Sequence, residues 1–213
     1  MYIGRIVSVA QTLDGRLAAM YRVSSRSFPN RTAVVFPERV SILPKPGHEG
    51  DVQKNPYIAY NCVRIVCDQT VAVVTNGSQT DPIAEKIDMG MPVRDALALS
   101  HLALDYEKDD YNTPRVSAVA DLTTGTGWLA TIREDGLEVR QMPLTPGRFF
   151  YVATYEENRP KDAQGGAFQA NSAAEACRFM LGEGVFAERT NPVTAVVAMA
   201  NGDGFALHVQ DAV

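Results

Sequence analysis

The stretch YRVSSRSFPNR, Tyr21–Arg31, gathers three arginines, three serines and an asparagine within eleven residues, with an aromatic and a proline among them. Strand-like segments flank it, RLAAM before and TAVVF after. A hairpin connection needs only roughly two to five turn residues and no such cluster. Guanidinium groups beside hydroxyls suit an anion with several oxygens, typically a phosphate. The same composition also suits an ordinary solvated loop, and these residues alone leave both readings open.

Three further stretches hold more polar groups than packing requires. In NPYIAYNCVRI, Asn55–Ile65, strand alternation puts Tyr60, Cys62 and Arg64 on one face and Asn61, Val63 and Ile65 on the other. A tyrosine there is either core with its hydroxyl satisfied, or, beside an arginine, a proton donor to a developing oxyanion. In VVTNGSQTDP, Asn76, Gly77, Ser78 and Thr80 precede a helix, which makes either an anion site or a cap built by Ser78 and Asp81. The spacing does not match a nucleoside-triphosphate loop. In LDYEKDDYNTPR, Asp105, Glu107, Asp109 and Asp110 surround Lys108 at a helix end, where carboxylates oppose the macrodipole. That is either a solvated terminus or an acid kept for use. His48, His101 and His208 are scattered, and Cys62, Cys67 and Cys177 lack CxxC spacing, so neither a metal site nor a disulfide framework is expected.

The elements that must position these groups are mostly strands. IGRIVSVA, RLAAMYRV, TAVVF, RVSIL, IAYNCVRIV and TVAVVTN come first. A helix from about Pro82 to Met89 follows, with Asp81 expected as its N-cap. A second helix, PVRDALALSHLALDYEK, carries Val93, Leu97, His101 and Leu104 at helical spacing, with Leu99, Leu102 and Tyr106 read as widening that face. RVSAVAD, GWLATIR, GLEVRQM and RFFYVATY return to strand, a helix starts at Ser172, and VTAVVAMA and GFALHV close the chain around Asn201–Gly204. Blocks of strands separated by helices argue for two antiparallel sheets with helices outside, not a doubly wound parallel sheet. The length of 213 residues fits one domain, and the net charge of −5 argues against a general nucleic-acid binder. The opening MYIGRIVSVA has one positive charge and no long apolar core, and no apolar run approaches a membrane span. A cytoplasmic protein with reduced cysteines is expected.

Taken in order, YRVSSRSFPNR, NPYIAYNC, VVTNGSQTDPIAEKI and LALDYEKDDYNTPR resemble the archaeal-type IMP cyclohydrolase family. The resemblance spans almost the whole chain and is densest from Tyr21 to Arg115. It implies an α+β fold, a four-layer αββα sandwich of two antiparallel sheets with outer helices, like the N-terminal nucleophile hydrolases, in one domain over residues 1–213. It implies the last step of de novo purine synthesis, closure of 5-formamidoimidazole-4-carboxamide ribotide to IMP with loss of water. Hydrolases of that fold expose Cys, Ser or Thr as residue one; Met1–Tyr2 supplies none, so the fold is expected without that mechanism. The substrate's own carboxamide nitrogen attacks its own formyl carbon, so neither a protein nucleophile nor a metal or redox cofactor is required.

Carried onto this sequence, the resemblance assigns the ribotide phosphate to Arg22 and Arg26 with Ser24 and Ser25, with Arg31 too far along the loop to share it. Asn61, Asn76, Gly77 and Ser78 are expected at the base edge or ribose. Tyr60 is the expected proton donor or oxyanion stabiliser, Glu107 the expected base, and Arg115 the group that orients Glu107 or touches ligand. The expected partner is a small purine ribotide, without nucleic acid or membrane, and a homo-oligomer if apolar surface is exposed. A nucleotide-binding regulatory protein of the same fold, with the clamp but no turnover, is the alternative. An amidohydrolase is a further one, which the Met1–Tyr2 start opposes.

Overall fold

In the computed structural model, which describes residues 1–213, thirteen strands fall into two sheets. They are β1 (Ile6–Gln11), β2 (Leu17–Ser24), β3 (Arg31–Phe36), β4 (Arg39–Pro44), β5 (Tyr60–Val66), β6 (Val71–Thr75), β7 (Arg115–Asp121), β8 (Thr126–Arg133), β9 (Gly136–Met142), β10 (Arg148–Ala153), β11 (Gly165–Ala167), β12 (Pro192–Asn201) and β13 (Gly204–Asp211). The helices are α1 (Asp51–Lys54), α2 (Thr80–Asp88), α3 (Val93–Leu104) and α4 (Ala173–Gly182). One sheet has the order β11-β10-β1-β2-β12-β13 and the other β3-β4-β5-β6-β7-β8-β9. Every pairing is antiparallel. The fold is therefore the expected α+β arrangement of two antiparallel sheets.

Alternation along each strand sorts its apolar side chains to two sides. Val7, Val9, Ala19 and Tyr21 of the first sheet pack against Val40, Ile42, Val74 and Ala118 of the second. The opposite side of the first sheet, with Ile6, Met20 and Val197, packs on Cys177 and Met180 of α4. The opposite side of the second, with Val73, Val119 and Ala130, packs on Ile83 and Ile87 of α2 and Leu97 of α3. The arginine-serine stretch is thus no hairpin. It carries the chain from β2 in one sheet to β3 in the other.

Two helix expectations need correction. Asp81 is not the N-cap of α2, which begins at Thr80 after Gln79. No side chain caps its first turn; the Thr75 and Thr80 hydroxyls ahead of it lie 2.6 Å apart, each within hydrogen-bond distance of Gly77 O, while Asp81 binds Asn61 and Arg64. In α3 the buried stripe is Ala96, Leu97, Ser100 and His101, whereas Leu99 and Leu102 are 48% and 66% exposed. Residues 99 and 102 lie on the side of the helix opposite residue 97, so they form a face of their own, and Tyr106 lies beyond the helix end at Asp105.

His101 lies buried under α3, with Nε2 2.8 Å from Ser117 Oγ and Nδ1 without a partner. Burial, aided by the Arg115 charge, pushes its pKa down to about 3. The unfolded chain takes up this proton near pH 6.5 and the folded one does not, so the stability held above that pH is lost as pH falls toward 3. Urea unfolding at pH 7 and pH 5 is expected to show a loss of about 2 kcal/mol from this group, and H101Q to remove that part of the slope.

Candidate active site

The ends of the strands explain where the polar groups meet. The start of β1 pairs with the ends of β2 and β10, and the starts of β3, β5 and β7 gather at one end of the other sheet. A pocket of about 340 Å³ opens there, lined by Tyr2, Arg5, Arg26, Arg31, Glu107 and Tyr155, with Ser24 and Ser25 at its wall. That size suits a small molecule. Gly4 makes the approach possible: at φ +78°, a Cβ on it would sit 2.0 Å from Thr154 Oγ1 and 2.8 Å from the Tyr155 ring. Arg5 then bonds Thr154 through its backbone and enters the pocket.

Glu107 is held from the other sheet. The helix stops at Asp105, whose φ of +57° turns the chain inward. The Glu107 amide bonds Thr113 O at 2.9 Å. Its Oε2 accepts from Arg5 Nη2 at 2.9 Å, while Oε1 is buried without a hydrogen-bond partner, 3.7 Å from Arg115 Nη1. Burial raises the Glu107 pKa above the usual carboxylate range, and Arg5 and Arg115 offset only part of that shift. Arg115 stands behind the carboxylate, donating to Asp105 O at 2.8 Å and Gln79 Oε1 at 3.1 Å. Gly77 leaves room for this junction, because a Cβ there would lie 2.8 Å from both Arg115 Nη1 and Gln79 Oε1 and 3.1 Å from Glu107 Oε1.

The opposite wall is cationic and aromatic. Arg26 lies over the Tyr2 ring at 4.3 Å, and Tyr2 and Tyr155 rings are 5.8 Å apart. Ser25 Oγ accepts from Phe28 N at 3.0 Å. Arg31 donates through Nε to Phe28 O at 3.0 Å, which leaves its buried Nη1 unpartnered. Tyr60, an expected site residue, is not among the residues that line the pocket: it is enclosed in the inter-sheet core, its hydroxyl 2.6 Å from that of Tyr21. Burial raises the Tyr60 pKa, and Arg31 and Arg5 oppose that shift.

The structure therefore brings Ser24, Ser25, Arg26 and Glu107 to one pocket, with Arg115 and Gly77 behind Glu107. Other predicted residues lie elsewhere. Arg22 faces α4, not the pocket: it donates to Ser24 Oγ and to the carbonyls of Met180, Arg189 and Thr190, and burial beside Arg189 lowers its pKa to about 10. Strand alternation accounts for this, since Tyr21 and Val23 take the inter-sheet side. Asn61 bonds Ser41 and Asp81 on the α2 side. Asn76 is a buried brace, bonding Pro114 O, Gln79 and Val116 N. Ser78 is exposed.

Tyr60 and Arg64 do not share a face either. The β4–β5 register jumps from Val40↔Val63 to Ser41↔Asn61, so Cys62 is an extra bulged residue. Arg64 swings to Asp81 beside Asn61, while Tyr60 and Val63 point into the inter-sheet core. Sequence reasoning missed Arg5, Tyr2 and Tyr155, and set Arg31 aside. The available signal was faint: a lone arginine after a glycine, ahead of the apolar run IVSVA.

Fold and site together define an α+β protein with a pocket between its two sheets, lined by arginines, tyrosines and carboxylates, one of them the buried Glu107. The chain belongs to the family described as IMP cyclohydrolase-like protein, whose match covers residues 2–204. It is 50% identical to an IMP cyclohydrolase of Methanosphaera stadtmanae over 93% of this chain and 94% of that protein. It is 43% identical to one from Methanococcus maripaludis, over 97% and 98%. For one from Methanocaldococcus jannaschii the identity is 40%, over 96% of both chains.

The two arginines at either end of the crossing loop separate by experiment. R22M removes the donor from three carbonyls, that of Met180 buried, and empties a fully buried side-chain site, and is expected to cost about 2–4 kcal/mol in urea unfolding. R31M, whose Nη1 holds no partner, is expected to stay within about 1 kcal/mol of the parent.

Proposed function

We propose that this chain is an IMP cyclohydrolase that closes 5-formamidoimidazole-4-carboxamide ribotide to IMP. The observation that carries the reading is Glu107: one oxygen is clamped by Arg5, the other is bare and buried, and an arginine-rich wall stands across the pocket. The wall suits the 5′-phosphate, with Arg26 and Arg31 as the cations and Ser24 and Ser25 beside them. Arg22 contributes by holding Ser24, and Arg31, expected to lie too far along the loop, takes the phosphate-binding role expected of Arg22. Tyr2 and Tyr155 offer flat apolar surface for the imidazole.

The chemistry follows from two proton-carrying groups. As the carboxamide nitrogen bonds to the formyl carbon, Glu107 takes the nitrogen's proton and Tyr60 gives its own to the formyl oxygen. The hydroxyl so formed leaves as water with the proton from Glu107. The Tyr60 phenolate then takes the proton of the former formamido nitrogen, as the ring double bond forms. Both side chains return to their starting states. Arg115 and Arg5 hold the Glu107 carboxylate in place.

The three packed interfaces, α4 on one sheet, sheet on sheet, and α2 and α3 on the other, support an αββα layering like that of the N-terminal nucleophile hydrolases. One shared inter-sheet core supports a single domain over residues 1–213. No helix is long and apolar enough to cross a membrane. Three free cysteines support a cytoplasmic setting, and exposed Met89, Leu99 and Leu102 support self-association.

The deciding experiment gives the formamido ribotide to purified protein, with and without chelator, and follows IMP by ultraviolet absorbance against the enzyme-free rate. Acceleration is expected in both; IMP binding without turnover would instead mark a regulatory protein. E107Q and Y60F are each expected to lower kcat by roughly 10²–10⁴-fold. Glu107 acts as a base only when ionised, so activity is lost as pH falls through its raised pKa, and this acid limb lies above the ordinary carboxylate range. E107Q should flatten it. G77A, which crowds Arg115 against Glu107, is expected to cost up to roughly 100-fold in kcat with the melting temperature little changed.

A further inference from the structure

Tyr21 and Tyr60 reach each other from different sheets, Tyr21 from β2 and Tyr60 from β5, with their oxygens 2.6 Å apart. Their surroundings are apolar: Val23, Ile42, Cys62 and Val193 belong to the same cluster. Packing gives no reason for two hydroxyls here, since a phenylalanine fills nearly the same volume. Only one proton can lie between the two oxygens, so the direction of the bond matters. Tyr21 is wholly buried and its hydroxyl has no other partner. If Tyr60 donated, the Tyr21 proton would be stranded in an apolar core, which is the costlier arrangement. If Tyr21 donates, every buried proton is used and the Tyr60 proton is released. Tyr60 retains 8% exposure and lies within electrostatic reach of Arg5 and Arg31, both of which line the pocket.

We infer that Tyr21 is a positioning residue: by donating its phenol proton to Tyr60 Oη, it aims the Tyr60 proton at the pocket and supports the phenolate that remains after transfer. The inference rests on the proposed role of Tyr60 as proton donor. The acidities agree with the geometry. Burial raises both phenols, Tyr21 to well above the usual value, and the bond between them raises Tyr21 further while pulling Tyr60 down. No proton leaves Tyr21 during the reaction, so it acts through Tyr60 alone.

The test is Y21F, alongside Y60F and the double variant, in the cyclisation assay. Y21F is expected to keep its melting temperature and KM within about two-fold, to lower kcat by roughly ten-fold or more, and to move the alkaline limb of the pH–rate profile upward. The double variant should be no slower than Y60F, because the two hydroxyls work as one unit. Wild-type kcat and an unmoved alkaline limb in Y21F, with Y60F impaired, would overturn the role of Tyr21 and leave that of Tyr60 intact. Wild-type turnover in Y60F would remove the parent reading instead. Should Y21F fail to fold, 3-fluorotyrosine at position 21 decides: this more acidic donor should shift the alkaline limb downward, and an unmoved limb overturns the inference.

Discussion

The ion pair between Arg5 and Glu107 is the constraint around which this end of the molecule is arranged. Its two members come from different sheets, one ahead of β1 and the other from the loop before β7, and they meet at 2.9 Å with both side chains enclosed. A buried carboxylate costs several kcal/mol in lost hydration, which attraction to a partner offsets only with close geometry. Here the partner is close, a second guanidinium stands 3.7 Å away, and the other carboxylate oxygen is still left bare. Stability alone would not favour that arrangement. It is the kind of uncompensated group found where chemistry requires a base of raised pKa.

Much of the local backbone can be read as support for that pair. Gly4 allows the chain before β1 to lie against Thr154, and Gly77 leaves the gap in which Arg115, Gln79 and Glu107 converge. Asp105 adopts a left-handed conformation at the end of α3, and Arg115 caps its carbonyl. Arg22, the most buried of the arginines, secures the end of β2 through carbonyls near α4 and β12. The crossing loop between the sheets then carries Arg26 to the pocket, and Arg31 follows at the start of β3.

Several features were legible from residue order. The blocks of strands between helices gave two antiparallel sheets, because long apolar alternation has few other solutions. A helix was expected from Ser172, and α4 begins one residue later, with Ser172 as its N-cap accepting from Glu175 N at 3.2 Å. Glu107 and the Ser24–Arg26 segment do line one pocket. The misreadings have local causes. A bulge at Cys62 breaks a strict two-residue period, so Arg64 and Tyr60 part company. A helix read from spacing alone does not say which of two apolar faces meets the sheet, so Leu99 and Leu102 were put on the wrong one.

By itself the sequence determined the sheet-rich class, the loop rich in arginine and serine, and the acidic run that holds Glu107, since these depend on residue type and local period. Tertiary structure alone decided which charges meet. Arg5 and Glu107 are 102 positions apart, and Tyr21 and Tyr60 are 39 apart. Both contacts depend on how two sheets stack and where the chain crosses between them. That same crossing turned Arg22 toward α4 and Arg31 toward the pocket, although nine positions of one loop-bearing stretch separate them. The side chain of an arginine follows the pleat beneath it, and pleat direction is fixed by what the other face must bury.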